Sequence, residues 1–423
     1  MPITTRSVHR EEQLRLDKLK IAVPCDVWFE IAKQLDDFVQ SYQMLCISSE
    51  AQIGIGNYLR QLPGLIVTGG WVQTTSVTIP YAPYMLSNEV WRLSLYPLAW
   101  VRMVDLALPR AGHSSCVVQQ DKVVSVGGRT VRFPEEHPFF SFTLWNTQGR
   151  PASGLMNHPC ATHPGPDRAS FEVMQYVNGI ATTIKTDTPL EIYVFTDGAV
   201  LEVVGSGTTS QGSVELFGGL DREYLAYPTE PDMMIPMNPI LQATNRVLHL
   251  DLASAVCTQQ PPMPLARSGF AADTVQHGGG IVIAGGRQLV TRRTSSRLSA
   301  AGVWGPLTEM NTMRLIPIAH SMDNDDFLVI GGVVSGVNHN TFLSLDLTNN
   351  EWVTREFESH NGPQRFYAAS AKIGSCIIVA GGITQLPDAA TGLVEVFRTQ
   401  DHKCRTLPCA LPRPLFAMGC VTL

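Results

Sequence analysis

The chain has 423 residues and a formal net charge of −6, from 31 basic and 37 acidic residues. This balance gives no electrostatic reason to expect a nucleic acid as the main partner. No apolar run approaches the roughly 18 residues that a membrane span needs, and the charged residues 1–20 lack the apolar core of a signal peptide. We therefore expect a cytoplasmic or nuclear protein that does not enter a membrane.

Two compositional features narrow the fold and the chemistry. The 35 glycines and 28 prolines require frequent turns, which suits many short strands better than long helices. The nine cysteines are scattered and form no CxxC pair, so we expect neither a zinc site nor a disulfide framework.

The first predicted elements are two short helices within residues 21–60. Pro24 and Asp26 are start signals for the first helix. Val27, Ile31 and Leu35 then share one helical face. A second helix is expected around residues 38–47, and the two would form a hairpin too small to hold much core alone.

Short strand-like runs ending in a double glycine recur along the rest of the chain. One such run indicates only a strand followed by a turn that needs positive φ. Six copies indicate an internal repeat. They are LIVTGG (65–70), VVSVGG (123–128), VELFGG (214–219), IVIAGG (281–286), FLVIGG (327–332) and IIVAGG (377–382).

Two other features keep a constant place between the double glycines. An alternating strand pattern reaches a Trp or Cys twelve residues after its start, at Trp100, Cys257, Trp352 and Cys404. An arginine follows in five places: Arg110, Arg267, Arg314, Arg365 and Arg413. After each of the first four arginines, the next double glycine begins 16 to 18 residues later.

This order of motifs over residues 62–423 resembles the kelch repeat, in which each repeat is a four-stranded blade. The resemblance implies an all-β kelch-type β-propeller. The double glycine would end the second strand of a blade, and the arginine would precede the first strand of the next. The final run, 414–423, reads as a first strand that pairs with 65–70 and closes the ring, since each would otherwise be an exposed edge.

The spacing of the repeats favours seven blades over six. Gly127 and Gly285 are 158 residues apart, which fits three intervals of about 53 better than two of about 79. The additional blade would take its second strand, without glycines, from residues 179–185. The VELFGG run would then not be an ordinary second strand, so six blades stay possible.

Residues 21–60 resemble an F-box. The matching residues are Val23-Pro24, Asp26, the apolar positions Val27, Ile31 and Leu35, and the segment 45–48 (LCIS). The sequence departs from the F-box pattern at 49–51, where SEA stands in place of a basic-aromatic cluster. The resemblance implies that Pro24, Val27, Ile31 and Leu35 bind the Skp-type adaptor of a cullin-based ubiquitin ligase. The alternative is a hairpin that only packs against the propeller.

Candidate target-binding residues lie at the junctions and loops of the propeller. The five arginines either face a ligand around the pore or tie neighbouring blades together, and the second interpretation is favoured. Three irregular loops add residue types that are common in binding sites. These residues are Trp71, Tyr81 and Tyr84 in the first loop, Tyr224 and Tyr227 in the second, and Arg292 and Arg293 in the third.

No catalytic motif is recognisable, so we expect no enzyme activity, no cofactor and no metal. His113 and His320 fall in first strands, where an interior structural role is favoured. The sequence therefore predicts the substrate-recognition subunit of a cullin-type ubiquitin ligase, with an unknown target protein. Two alternatives are a kelch scaffold unrelated to ubiquitin, and a sugar-type enzyme that uses the propeller pore.

Overall fold

The structure, a computed structural model, describes residues 23–73, 84–130, 168–178, 180–193, 197–202, 212–222, 241–275, 279–288, 290–334, 337–358, 362–384 and 390–423. This part of the chain divides into two compact units. We call residues up to Pro63 together with Leu95–Pro97 the helical unit. The β unit comprises Gly64–Ser94 and Leu98–Leu423.

The helical unit contains three helices in its described residues: α1 Cys25–Leu35, α2 Phe38–Met44 and α3 Ser49–Gln61. The Asp37 carboxylate accepts the Val39 and Gln40 amides at 2.9 and 3.0 Å and so starts α2. The Ser48 hydroxyl accepts the Ala51 amide at 3.0 Å and starts α3 in the same way. The predicted two-helix hairpin is therefore incomplete, because a third helix follows it.

Helices α1 and α3 pack closely because a glycine faces the start of α1. A Cβ on Gly54 would overlap the Cys25 carbonyl and lie 2.8 Å from the Trp28 Cβ. Phe29 and Tyr58 meet edge to face at 5.9 Å between ring centroids. Ala32, Ile55 and Leu59 are fully buried, as are Ala51 and Phe38.

The β unit consists of short strands, numbered here in chain order. Up to residue 130 they are β1 Leu65–Thr68, β2 Trp71–Gln73, β3 Tyr84–Leu86, β4 Val90–Leu95, β5 Leu98–Arg102, β6 Arg110–Ala111, β7 Ser114–Val118, β8 Lys122–Val126 and β9 Arg129–Thr130. The next are β10 Arg168–Val177, β11 Ile180–Tyr193, β12 Ala199–Glu202, β13 Ser213–Phe217, β14 Leu220–Arg222, β15 Leu241–Ala243, β16 Val247–Asp251 and β17 Cys257–Gln260.

The remaining strands continue to the end of the chain. They begin with β18 Ala271–Thr274, β19 Ile281–Ala284, β20 Ser295–Leu298, β21 Trp304–Leu307, β22 Ile318–Ser321, β23 Asp326–Ile330, β24 Val333–Val334, β25 Val337–Asn338, β26 Thr341–Asp346 and β27 Glu351–Glu356. The last six are β28 Ala369–Ile373, β29 Cys376–Ala380, β30 Val394–Arg398, β31 Cys404–Thr406, β32 Leu415–Phe416 and β33 Gly419–Thr422.

Six four-stranded sheets, which we call A to F, account for most of these strands in the described residues. Their strand orders are β33-β1-β4-β5 in A, β7-β8-β10-β11 in B, β12-β13-β16-β17 in C, β18-β19-β20-β21 in D, β22-β23-β26-β27 in E and β28-β29-β30-β31 in F. The chain is thus mostly β, and its repeated four-stranded sheets are consistent with a β-propeller.

Each double glycine directly follows the second strand of its sheet, as the repeat predicted. All twelve of these glycines have positive φ, between 52° and 102°. Residues with a Cβ rarely adopt this conformation. The glycines are therefore required by the backbone turn that ends the second strand.

The predicted glycine-free second strand at 179–185 is wrong. That segment lies in β11, which is the fourth and outermost strand of sheet B and pairs with β10. The VELFGG run contains β13, the ordinary second strand of sheet C. Among the described residues between Gly127 and Gly285, no four-stranded sheet besides B, C and D is found.

The last strand, β33, pairs antiparallel with β1, so the ends of the β unit share sheet A. Leu65 lies opposite Thr422, and Thr68 lies opposite Gly419. Gly64 and Leu423 exchange backbone hydrogen bonds at 2.8 and 3.0 Å. This is the pairing predicted for the two ends.

Apolar clusters fill the spaces between consecutive sheets, from A–B to E–F. Between D and E, for example, Phe327 and Trp352 meet edge to face at 6.4 Å. The core of the β unit is therefore divided into layers between sheets.

Candidate binding surfaces

Helix α1 carries a partly exposed apolar stripe, which comprises Pro24, Val27, Ile31 and Leu35. Val27 is 42% exposed, and Pro24 is exposed as well. Ile31 and Leu35 are half-buried, because Ala32 on the adjoining side of the helix faces the core. The stripe therefore remains accessible within the helical unit.

An open groove of about 780 Å³ lies beside this stripe, between α1 and α3. Val27, Phe29 and Glu30 line it on one side, and Asn57 and Arg60 on the other. The groove combines apolar side chains with two acidic side chains, Asp26 and Glu30, and one basic side chain, Arg60. This composition suits a protein partner better than a small apolar ligand.

The helical unit also includes Tyr96, from the segment Leu95–Pro97. A Cβ on Gly56 would lie 2.7 Å from the Tyr96 ring, so this position of α3 accepts only glycine without a shift. The Arg60 guanidinium lies over the same ring at 4.7 Å from its centroid. One side of α3 is therefore occupied by Tyr96.

Four of the five predicted arginines are buried inside the β unit. Arg110, Arg267 and Arg314 are 0% exposed, and Arg365 is 2% exposed. Each donates to the carbonyl of the first glycine of the next double glycine. These bonds are Arg110 to Gly127 at 2.9 Å, Arg267 to Gly285 at 3.1 Å, Arg314 to Gly331 at 2.7 Å and Arg365 to Gly381 at 2.9 Å.

The backbone of each buried arginine contacts the preceding sheet. The amide of the preceding double glycine donates to the arginine carbonyl, as from Gly286 in sheet D to Arg314 at 2.9 Å. The Arg314 guanidinium then reaches Gly331 in sheet E. Because each arginine ties two consecutive sheets together, burial favours the structural interpretation over a ligand-facing one.

Arg413 does not stand at the repeat position of the other four arginines, which falls two residues later, at Leu415. The Gly382 amide donates to the Leu415 carbonyl at 2.8 Å, as the Gly332 amide does to Arg365 at 3.0 Å. Leu415 is fully buried, whereas the Arg413 side chain is 57% exposed and lies 3.5 Å from the Glu89 carboxylate. The repeat position of the arginine is thus occupied by a leucine in the last copy.

One face of the β unit, which we call the loop face, is formed by two kinds of connection. The segments that directly precede the first strands of the sheets pair with the segments that directly follow the double glycines. Examples are β6 with β9, β32 with β2, Ser268 with Arg287, Leu315 with Val333 and Phe366 with Ile383. The two kinds of loop therefore share one face, as the propeller interpretation requires.

The predicted loop residues differ in how far the structure describes them. Trp71 lies half-buried in β2, and Tyr84 begins β3, where only its backbone is described. Arg292 is half-buried, and Arg293 is 51% exposed and lies 3.2 Å from the Glu309 carboxylate. Tyr81, Tyr224 and Tyr227 lie outside the described residues.

Sequence reasoning missed an apolar cluster beneath the loop face. Its buried members are Ala111, Val333, Phe366, Ile383, Phe416 and Ala417. Several of them directly follow the arginine position or the double glycine, which is the signal that could have located them. Tyr367 packs against this cluster, and its hydroxyl donates to the Asp197 carboxylate at 3.4 Å.

A chain of backbone hydrogen bonds links the starts of the first strands. Six residues at equivalent positions have φ between 52° and 64°: Gly112, Asp197, Gly269, Ile316, Tyr367 and Ala417. Amide-to-carbonyl bonds of 2.7 to 3.0 Å run from 112 to 417, 197 to 112, 269 to 197, 316 to 269 and 417 to 367. These bonds connect sheet A with B, B with C, C with D, D with E, and F with A.

The two first-strand histidines are held inside the fold. His113 is buried, and its Nε2 lies 2.8 Å from the Thr68 hydroxyl. His320 Nε2 lies 2.9 Å from the Ser370 hydroxyl, and burial, aided by Lys372, lowers the pKa of His320 to about 4. In the described ranges, His, Cys, Asp and Glu side chains nowhere gather in threes or more as a metal ion would require.

Asp273 in β18 gives the β unit a pH-dependent contact. Its carboxylate accepts the amides of Ser321 and Thr274 at 2.7 and 2.8 Å. Burial raises the pKa of Asp273 to about 6. The carboxylate therefore ionises less readily in the folded protein than in the unfolded chain.

We expect Asp273 to destabilise the fold as pH rises. Its folded pKa lies above the unfolded value of about 3.9, so its contribution is most favourable below pH 4 and is lost as pH passes 6. The free energy of unfolding of wild type relative to Asp273→Asn should fall by about 2 kcal/mol from pH 4.5 to 7.5. Urea titrations at both pH values measure this difference. A difference that does not change with pH would contradict the expectation.

The comparisons with known proteins are sparse. No family model matches this chain. A stretch of 177 residues is 27% identical to alpha-scruin of Limulus polyphemus. This stretch covers 39% of the chain and 19% of alpha-scruin, so the likeness extends over about a fifth of that relative. It supports kelch-type repeats in this chain. None of the helices in the described part of the chain has the length and apolar character that crossing a bilayer requires.

Proposed function

We propose that this chain is the substrate-recognition subunit of a cullin-type ubiquitin ligase in the cytoplasm or nucleus. The α1 stripe binds a Skp-type adaptor, and the loop face of the β unit binds the target protein. The observation that carries the proposal is the exposure of Val27 on an amphipathic helix that buries Ala32 in the core of the helical unit.

The physical argument concerns the apolar surface that α1 leaves uncovered. The three short helices described in this unit cannot bury every apolar side chain on their own. Its core is formed by Ala32, Ile55 and Leu59, which leaves Val27 and Ile31 available to a partner. Burial of each of these side chains by an adaptor would contribute about 1.5–3 kcal/mol.

An interaction scaffold unrelated to ubiquitin is the second candidate. The packing of Tyr96 on Gly56 and Arg60 favours it, because this contact gives α3 a structural role. The two candidates make different use of α1. The ligase subunit needs the α1 stripe for binding, whereas the scaffold does not.

Target binding requires a rigid loop face, and we propose that sheets A to F form one closed six-bladed propeller. The pairing of β33 with β1 supports closure, because it joins the last segment of the chain to the first sheet. The hydrogen bonds between the starts of the first strands support a ring of six, since five of the six bonds that such a ring needs are present, including the bond from 112 to 417.

The α1 stripe is tested by a double charge substitution. Val27→Asp with Ile31→Asp should lower adaptor capture at least a hundredfold, because two aliphatic contacts together are worth about 3 kcal/mol or more. The melting temperature should change little, since both side chains are partly exposed already. A pull-down of a purified Skp-type adaptor, with melting curves for both proteins, measures the two quantities.

Ile53→Asp is the matched control. Ile53 is 55% exposed on α3, outside the α1 stripe, so this variant should capture the adaptor as wild type does. If the wild-type chain captures no adaptor, the ligase proposal is wrong and the scaffold takes its place. If the double variant captures the adaptor as wild type does, the α1 stripe is not the adaptor-binding surface.

A further inference from the structure

The buried arginines of the β unit differ in whether a carboxylate neutralises them. Arg110 pairs with Glu172 at 2.7 Å, and both side chains are fully buried. Arg365 pairs with Glu395 in the same way. Arg267 and Arg314 instead donate to neutral groups, the hydroxyls of Thr294 at 3.2 Å and Thr341 at 2.6 Å. Sheets D and E therefore each contain a guanidinium for which no carboxylate partner is seen among the described residues.

The strand register explains this difference. Glu172 lies opposite Ser125, and Glu395 lies opposite Val379. Ser125 and Val379 each stand two residues before a double glycine. The equivalent positions are Ser296, opposite Ile283 in sheet D, and Leu343, opposite Val329 in sheet E. A serine and a leucine thus stand where the other two sheets carry glutamates.

Further positive charge lies above these two sheets on the loop face. Arg287 is exposed, and Arg292 is half-buried and donates to the Gln288 side chain at 3.0 Å. Burial, and then the charge of Arg292, lowers the pKa of Arg267 to about 10. Burial, and then Arg314, lowers the pKa of His339. The positive groups of this region therefore lie close enough to disfavour one another's protonated forms.

Exposed apolar side chains accompany these charges on the same face. Val290 is 65% exposed, Val337 is 67% exposed and Met313 is 41% exposed. Arg293 is the exception among the arginines, because Glu309 neutralises it. The loop face over sheets D and E thus combines apolar contacts with cations that have no carboxylate partner among the described residues, although the chain as a whole has a net charge of −6.

We infer that the loop face over sheets D and E binds an acidic segment of the target protein, one with several Asp or Glu residues beside an apolar side chain. This inference rests on the proposed function, since it names the chemistry of the target. The carboxylates of such a segment neutralise Arg287 and Arg292, and they lie in the field of the buried Arg267 and Arg314. Charge complementarity of this kind gives specificity and faster association.

The test uses a labelled twelve-residue peptide of alternating Glu and Gly with one central Leu. Its partner probe has Gln in place of every Glu. Fluorescence anisotropy with the full chain should show at least about tenfold tighter binding of the Glu peptide, and this preference should shrink as NaCl rises to 0.5 M because salt screens exposed charges. Equal binding of the two peptides would overturn the inference.

Two variants locate the binding on the loop face. Arg287→Gln with Arg292→Gln should weaken Glu-peptide binding about tenfold. Ser296→Glu should weaken it as well, because it places a carboxylate beside Arg267 without removing any exposed arginine. Arg355→Gln with Arg405→Gln is the matched control, since both arginines are exposed on the outer strands β27 and β31. An equal loss in the control and in the first variant would overturn the assignment to this face.

Adaptor capture by the same preparations separates this inference from the proposed function. Adaptor capture without preference for the Glu peptide would refute the acidic target and leave the ligase proposal standing. Preference for the Glu peptide without adaptor capture would refute the ligase proposal and support the acidic target.

Discussion

Arg110→Met should lower the free energy of unfolding by about 3–5 kcal/mol, because it leaves the buried Glu172 carboxylate without its counter-ion. The substitution also removes donors to the Gly127 and Ser170 carbonyls, which lie 2.9 and 3.1 Å from the guanidinium. Buried acceptors left without partners add to the loss. Urea unfolding at neutral pH measures the change.

Two further variants separate charge burial from the loss of packing. Arg110→Met with Glu172→Met should recover part of the stability, because it removes the unpaired buried charge. Recovery should be incomplete, since Glu172 also accepts the Ala107 and Leu108 amides at 2.7 and 3.3 Å. Arg413→Met, at an exposed position, is the control and should change the stability by less than about 1 kcal/mol. An unchanged melting temperature for Arg110→Met would mean that the arginine is not structural.

Removal of residues 419–423 should prevent the β unit from folding stably. The truncation deletes β33, exposes the edge of β1 and removes the buried Val421 from the layer between sheets A and B. It also removes the two hydrogen bonds between Gly64 and Leu423. One aliphatic side chain contributes about 1.5–3 kcal/mol, and each lost hydrogen bond contributes about 0.5–1.5 kcal/mol. These losses approach the whole stability of a typical domain.

Val421→Asp should reproduce most of this loss by itself, because it places a carboxylate in an apolar layer. Thr422→Ser keeps a hydroxyl at the adjacent position and serves as the control. Circular dichroism melting and the soluble yield measure both variants beside the truncated chain. A truncated chain that melts within a few degrees of wild type would show that sheet A does not depend on β33, and it would contradict the proposed closure.

The segment 179–185 shows where spacing alone misleads. The interval of 158 residues between Gly127 and Gly285 led to this segment as a second strand, but it lies in β11, the outermost strand of sheet B. A surface connection can lengthen at small cost in free energy. Spacing therefore locates a strand within a repeat only where the connections are short.

The sequence by itself determined the local features of the β unit. Each double glycine ends a second strand because only glycine adopts that backbone readily, and the alternating runs form strands because one face of each is buried. These are short-range properties, so the residue type and its neighbours suffice to predict them. The same reasoning located α1 from Pro24, Asp26 and the apolar spacing and expected a second helix around residues 38–47, although it stopped before α3.

Only the tertiary structure decided what the arginines do. Arg314 and Arg413 both occur between strand patterns, yet Arg314 is buried between two sheets and Arg413 is exposed. Whether a buried arginine is neutralised depends on the residue across the strand pair, a glutamate at Glu172 but a serine at Ser296. The register between paired strands brings together residues that are far apart in the chain. The sequence pattern around one arginine therefore does not show which residue lies across the strand pair.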